Sequence, residues 1–340
     1  MELTLLLRSL SEASFVSGRE GADKIVQDIL REYSPGMRRD RLGSIIAPIF
    51  PAKPGRPHLI LDAHIDEIGF IVTRIDDDGY LRVSPVGGPD LRALYGCRAA
   101  VFGRERLEGV FCCGAAGGKD GASPDRDSVA VDIGFSRKQA ETYVSPGDFV
   151  TINRSVRMLG DGIITGKALD NRAGVAAAIR ACELVAGSGS AAGFTLLLSS
   201  GEELGERGAQ AAAFALDPTH ALVIDTSFAH TPDAPREKCG LAGKGPMIGF
   251  SPVLSLSSSR ALADLARLKG IPFQTEIMGG ATGTDSDRIS VTRGGVDTAL
   301  ISVPLRYMHT SCEAVAVADV ENTARLAAEY ISSFGGAADE

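Results

Sequence analysis

The sequence predicts an α/β protein: a mostly parallel mixed sheet sandwiched by helices, with a small β-barrel-like domain inserted into it. Three observations lead there. Short apolar runs at 45–49, 58–63, 193–199, 219–224 and 297–303 alternate with helical patterns at 171–187, 206–216, 256–269 and 317–334. Unbroken apolar strands separated by helices belong to a sheet covered on both faces. Between about 70 and 162 the alternation stops, and "FIVTRI", "YLRVSPV", "RAAVFG", "LEGVFCC", "SVAVDIG" and "DFVTINR" succeed one another across Gly, Asp and Pro. Strands so spaced make a compact β unit. Because the α/β pattern then resumes, residues 70–162 read as an insertion, and 1–69 with 163–340 as the domain that encloses it.

The remaining elements can be taken in order. "MELTLLLRSLSEAS" lacks a basic leader and is broken by Arg8, so it does not read as a secretion signal. Residues 17–33, "SGREGADKIVQDILREY", predict an amphipathic helix with Ser17 and Glu20 at capping-box spacing and Ile25, Val26, Ile29 and Leu30 on one face. "CCGAAGGKDGASPDRD" reads as a flexible loop.

Composition excludes several classes. A chain of 340 residues, 44% hydrophobic, can bury a large core. A net charge of −8 without a basic block argues against a nucleic-acid partner. No apolar run approaches the roughly 20 residues of a membrane helix. The six cysteines are scattered without a CxxC pair, which speaks against a disulfide framework or a thiolate metal cage and for a cytoplasmic protein.

Charge collects where the apolar runs stop. "LILDAHIDEIGFIV" carries Asp62, His64 and Asp66 at alternate positions, which a strand would point to one side. "GKALDNRAG" places Asp170 before an Ala-rich helix, where it could equally be an N-cap. "FTLLLSSGEELGERGA" ends a strand in Glu202 and Glu203, a pair that would also complement a helix dipole. "HALVIDTSFAH" ends in Asp225, with His230 beyond, and "TALISVPLRYMHTSCE" runs on to Arg306 and His309. Ligands of open α/β sheets bind beyond the carboxyl ends of the strands. Nitrogen and oxygen donors without sulfur suit zinc, cobalt or manganese. A pair of divalent ions needs two histidines, two terminal carboxylates and a bridging one, and His64, His309, Asp225, Glu203 and Asp170 supply that set. Two dications are balanced by three carboxylates and a hydroxide, which avoids the penalty of an uncompensated buried charge.

Taken together, "HIDEIGFIV", "PVGG", "VDIG", "GKALDNRAG", "GEELGERGA", "GKGP" and "ISVPLRYMH", in this order along essentially the whole chain, resemble the dinuclear-metal aminopeptidases that include glutamyl aminopeptidase and the tetrahedral aminopeptidases. The resemblance implies a zinc-exopeptidase-like fold and hydrolysis of N-terminal residues from short peptides. It implies two divalent ions per subunit, zinc with cobalt or manganese as alternatives. His64 and Asp225 would hold one, Glu203 and His309 the other, and Asp170 would bridge them. Glu202 falls at the general base and Asp66 at the carboxylate that orients a liganding histidine. The insertion would serve dimer formation, and dimers would build a homo-oligomer as large as a dodecamer. His230 and the variant "GGATGTDSDR", with Asp285 or Asp287 as the counterpart of the family's aspartate, depart from the pattern. Three competing readings remain: a deacylase or carboxypeptidase with the same site, a glycosidase, and a non-catalytic assembly protein.

Overall fold

The computed structural model describes residues 2–18, 23–113, 126–187 and 192–334. Helices α1 (Leu3–Glu12) and α2 (Asp23–Leu30) lead into strands β1 (Arg38–Arg39), β2 (Ile45–Phe50) and β3 (His58–Asp62). A second group comes next: β4 (Gly69–Ile75), β5 (Leu81–Val86), β6 (Arg98–Phe102), β7 (Arg106–Cys113), β8 (Val129–Asp132), α3 (Arg137–Tyr143) and β9 (Phe149–Ile152). The chain returns through β10 (Arg157–Leu159), β11 (Ile163–Gly166), α4 (Leu169–Val185), β12 (Gly193–Leu198), α5 (Arg207–Leu216) and β13 (His220–Phe228). It finishes with β14 (Met247–Phe250), α6 (Leu256–Leu268), β15 (Gln274–Ile277), α7 (Ser286–Ile289), β16 (Asp297–Arg306), β17 (Glu313–Ala316) and α8 (Val317–Ser333).

The main sheet has the order β1-β2-β12-β3-β13-β16-β17-β11-β10, with β14 and β15 branching from β16. It is mixed, and its parallel core is the central run β12, β3, β13 and β16. The flanks pair antiparallel. The reason lies in the connections, because parallel neighbours need a crossover helix whereas β10–β11 and β16–β17 are joined by short loops. β10 falls inside the 70–162 segment, yet it pairs with β11 and extends the main sheet.

Side-chain alternation explains why the central strands are apolar throughout. Leu59, Leu61, Leu196, Leu198, Leu222, Ile224 and Ile301 pack with α1, α4, α6 and α8 on one face. Ile60, Leu197, Val223 and Leu300 pack with Ala209, Ala212 and Ala213 of α5 on the other. Each such side chain contributes roughly 1.5–3 kcal/mol when fully buried. The N-terminal segment is an amphipathic helix that buries Leu6, Leu7 and Leu10, its first turn capped by the Glu2 carboxylate.

Strands β4 to β9 close into a barrel of order β4-β5-β8-β7-β6-β9. Phe70, Val72, Leu81, Val101, Phe111, Val131 and Val150 fill it, and the rings of Phe70 and Phe111 lie 4.9 Å apart. Closure leaves no unpaired edge on a unit this small. Of the helix expected over 17–33, the described residues are helical over Asp23–Leu30; Ser17 donates its hydroxyl to Asp66, and Glu20 lies outside the described residues. So does most of the loop expected over 112–127.

Candidate metal centre

Three neighbouring parallel strands and the elements beside them end on one edge of the sheet, so the segments that leave them converge there. His64 lies two residues beyond β3, where the strand has already stopped at Asp62. Glu202 and Glu203 open the 3₁₀ turn Glu202–Leu204 after β12. Asp225 sits in β13, Asp170 at the start of α4, and His309 in the loop after β16.

These residues meet. His64 Nε2 is 3.3 Å from Asp170 Oδ1, 3.6 Å from Asp225 Oδ1 and 3.9 Å from Glu202 Oε2. His309 Nε2 is 3.2 Å from Asp170 Oδ2 and 3.5 Å from Glu203 Oε1. Two overlapping groups result, His64–Asp170–Asp225 and Asp170–Glu203–His309, each offering donor atoms within 4.8 Å of one another. Asp170 belongs to both and turns one oxygen toward each. With Glu206, Thr226 and Met308 these side chains line a cleft of about 310 Å³.

Both imidazoles are held from behind. His64 Nδ1 faces the Asp66 carbonyl at 3.2 Å, with the Asp66 carboxylate at 3.7 Å. His309 Nδ1 donates to the Gly88 carbonyl at 2.9 Å. In each ring Nε2 is thereby left to face the cleft, as a metal-ligating histidine requires. Gly87 and Gly88 come directly after β5, so the barrel side of the molecule reaches this site. Gly87 has φ +76°, and a Cβ there would lie 3.0 Å from Glu203 Oε2; one on Gly88 would lie 3.3 Å from His309 Nδ1. Larger residues would push the two ligands aside.

The backbone is tied down too. Glu313, fully buried, accepts from the amide of Asp170 at 3.0 Å and from that of His309 at 2.8 Å. Asn171 donates to the Ile224 carbonyl at 2.8 Å, joining the start of α4 to β13 one residue before Asp225.

The electrostatics describe a surplus of carboxylate. Burial opposes a charged His64, but Glu202, Asp170, Asp225 and Asp66 overcome it and lift its pKa well above the usual value. Asp170 and Glu203 likewise carry His309 against its burial to about 11. Burial, reinforced by Asp225 and Asp285, pushes Glu202 up to about 10, and burial brings Asp225 to about 6. Asp170, between the two imidazoles, is held well below the usual carboxylate range by His309 and His64 against its burial. So many carboxylates around two imidazoles suit added cations. The donor set, two imidazole nitrogens with three carboxylates and no thiolate, fits divalent metal.

Other sequence expectations resolve differently. Asp170 is no N-cap: Ala168 holds that position, and Asp170 itself has φ −79° and ψ 106°, which frees its carboxylate for the histidines. Asp62 points away from the cleft toward Asp285; both are buried, and Asp285 accepts from Ser199 at 2.5 Å. Asp287 instead holds the amides of Thr282 and Gly283. Neither His230 nor Arg306 lines the cleft. Sequence reasoning missed Glu313, Glu206, Met308 and the Ser17–Asp66 bond. Nothing in the local pattern of "SCEAVA" distinguishes Glu313 from an ordinary strand residue, because its partners are contributed by two distant loops.

Comparison with known proteins accords with this geometry. The model for the M42 glutamyl aminopeptidase family matches residues 43–326. A lysyl aminopeptidase of Pyrococcus furiosus is 33% identical over 95% of this chain and 94% of its own. The structure of the aminopeptidase APDkam598 from Desulfurococcus kamchatkensis superposes with TM-score 0.90 at 28% identity, covering 100% of this chain and 99% of that one. The TET1 peptidase of Pyrococcus horikoshii, described as assembling into a tetrahedron or a large octahedral shell, does so with TM-score 0.82 at 28% identity over 96% and 98% of the two chains. With a family match over most of its length and a site that offers metal donors where strands of that fold end, the chain belongs to the M42 glutamyl aminopeptidase family and is a metallo-aminopeptidase, a hydrolase.

Proposed function

We propose that the protein removes N-terminal residues from short peptides with a water activated at two divalent ions, zinc by preference with cobalt or manganese tolerated. The observation that carries this reading is Asp170, with Oδ1 at 3.3 Å from His64 and Oδ2 at 3.2 Å from His309. His64 and Asp225 would hold one ion, Glu203 and His309 the other, with Asp170 between them. When bound, such ions lower the pKa of water and polarise the scissile carbonyl. Glu202 belongs to neither donor group, though it stands 3.9 Å from His64 Nε2. With the charge of bound cations offsetting the burial and neighbouring carboxylates that raise its pKa, Glu202 would be ionised and free to take the proton of the attacking water as the C–O bond forms and to deliver it to the leaving amine as the C–N bond breaks. Asp66 keeps the His64 ring in place and also accepts the Glu202 amide at 3.3 Å, coupling the orienting group to the base.

The enclosing segments 1–69 and 163–340 would form the catalytic domain, and 70–162 the dimerisation insert of a homo-oligomer of up to twelve subunits. Cytoplasmic residence fits the free thiols of Cys97, Cys112, Cys182, Cys239 and Cys312. Among the described residues no helix is long and apolar enough to cross a membrane.

The test is metal content measured beside hydrolysis of an aminoacyl-anilide series. Two ions per chain, activity lost on chelation and regained on reloading, and rejection of N-blocked substrates are the expected results. A metal-free, fully active preparation would overturn the reading. Cleavage of N-blocked substrates would favour the deacylase alternative, and polysaccharide hydrolysis that survives chelation would favour a glycosidase, whose chemistry has no use for the two histidines.

A further inference from the structure

Two of the free thiols, those of Cys97 and Cys312, flank the side chain of Ser311. Cys97 directly precedes β6 of the barrel, and its Sγ is 3.0 Å from the Ala93 carbonyl oxygen and 3.5 Å from Ser311 Oγ. Ser311 Oγ is in turn 3.5 Å from Sγ of Cys312, in the loop after β16. One hydroxyl therefore stands between two sulfurs from distant parts of the chain. Both cysteines are partly exposed, whereas Cys182 is buried in the core. Cys97 and Ser311 also line a cavity of about 300 Å³ whose lining includes Arg98 and Arg154 and no carboxylate. Arg98 is shared with the exposed Glu108 at 3.5 Å. Guanidinium groups at its wall suit a carboxylate-bearing molecule.

The loop of Cys312 is the one that presents His309. Tyr307 and His309 hold positive φ, +61° and +62°, a conformation that persists only where surrounding contacts impose it. Those contacts run to the barrel: His309 donates from Nδ1 to the Gly88 carbonyl, and its own carbonyl accepts from the Asp90 amide at 2.9 Å. The thiol pair lies on the same seam, a few residues further along both segments.

We propose that Cys97 and Cys312 are a redox-active pair, oxidised to a disulfide by a small carboxylate-bearing disulfide that enters through the cavity. The Cys97 thiolate attacks one sulfur of that molecule, forming a mixed disulfide and releasing one thiol. The Cys312 thiolate then attacks Cys97 Sγ, forming the Cys97–Cys312 bond and releasing the second thiol. Two electrons and two protons pass from the protein to the reagent. Such bonds in a reducing compartment are transient and redox-sensing. A disulfide brings its sulfurs to about 2.05 Å, so the Ser311 hydroxyl must leave the gap and the His309 loop must shift toward the barrel. His309 is then drawn from Asp170 and Glu203, now 3.2 and 3.5 Å away, and that donor group holds its ion less well. This consequence rests on the two-ion reading; the bond itself does not.

The experiment treats the metal-loaded enzyme with oxidised glutathione and blocks remaining thiols with iodoacetamide. Linked peptides are read by mass spectrometry, beside metal affinity and aminoacyl para-nitroanilide hydrolysis. Wild type should yield a Cys97–Cys312 linked peptide and bind one of its two ions about 10–100-fold more weakly. A phosphine reductant with fresh metal should restore both ion and rate. Cys97→Ser should keep the untreated rate and resist the oxidant, and Cys312→Ser should stop at glutathione on Cys97. Absence of the linked peptide would overturn the proposal. So would a linked enzyme of unchanged metal affinity, or a Cys97→Ser variant inactivated as fast as wild type. A reduced wild type that holds no pair of ions and cleaves no anilide would sink the aminopeptidase reading and the consequence for His309, with the linked peptide still read by mass.

Discussion

The barrel and the main sheet solve burial in opposite ways. Among the described residues the barrel strands bury a single polar side chain, Thr151, and it lies within hydrogen-bond distance of Ser14 outside the lining of Val, Leu and Phe. The main-sheet domain buries Asp62, His64, Asp66, Glu67, Lys167, Asp170, Arg172 and Glu313. A closed apolar barrel needs nothing beyond its own interior, whereas buried charge is tolerated only when paired, hydrogen-bonded or bound to metal. Glu67 meets these terms by taking the Lys167 ammonium at 2.7 Å and the Phe15 amide at 2.8 Å. The ligand cluster sets its carboxylates against His64 and His309, with Asp170 3.3 Å from one and 3.2 Å from the other. One region is therefore built for stability, and the other accepts a stability penalty to hold reactive groups in fixed positions.

Four experiments probe the contrast, in falling order of effect. Glu202→Gln should lower kcat about 10²–10⁴-fold, the usual range for a general base, with metal content unchanged by elemental analysis; a variant that keeps turnover with both ions bound would remove Glu202 from its proposed role. Lys167→Met should cost about 3–5 kcal/mol in urea unfolding, because it strands the buried Glu67 anion. Phe111→Ala should cost a comparable 3–5 kcal/mol through the cavity left in the barrel, but metal stoichiometry per folded chain should stay at the wild-type value. If it fell, the barrel would be doing more for the site than presenting Gly87 and Gly88. Asp66→Asn should be the mildest, weakening metal affinity by about 10–100-fold in a competition titration with a chelating dye, while the fold by circular dichroism is retained.

Much was legible from the chain alone. Apolar runs without alternation marked the strands that helices cover on both sides, and charged residues just beyond those runs marked the edge where they end. Five donors, His64, Asp170, Glu203, Asp225 and His309, could be named because each stands at such a boundary. The same logic did not foresee the bond from the Ser17 hydroxyl to Asp66, and it overvalued Asp62, whose place in the strand turns it toward Asp285.

What the sequence by itself determined is local: period, strand ends, the chemical types available, and an ordered set of motifs. Only the tertiary structure decided which of these groups share a space. It joined Asp170 to histidines 106 and 139 positions away and bound both ligand loops to Glu313. It also set Glu206 in the cleft wall, paired with Arg288 at 3.4 Å. The physical reason is that pattern along a chain reflects each residue's exposure to water, whereas charge, coordination and specificity depend on distances of a few ångströms between segments that only the packed sheet brings together.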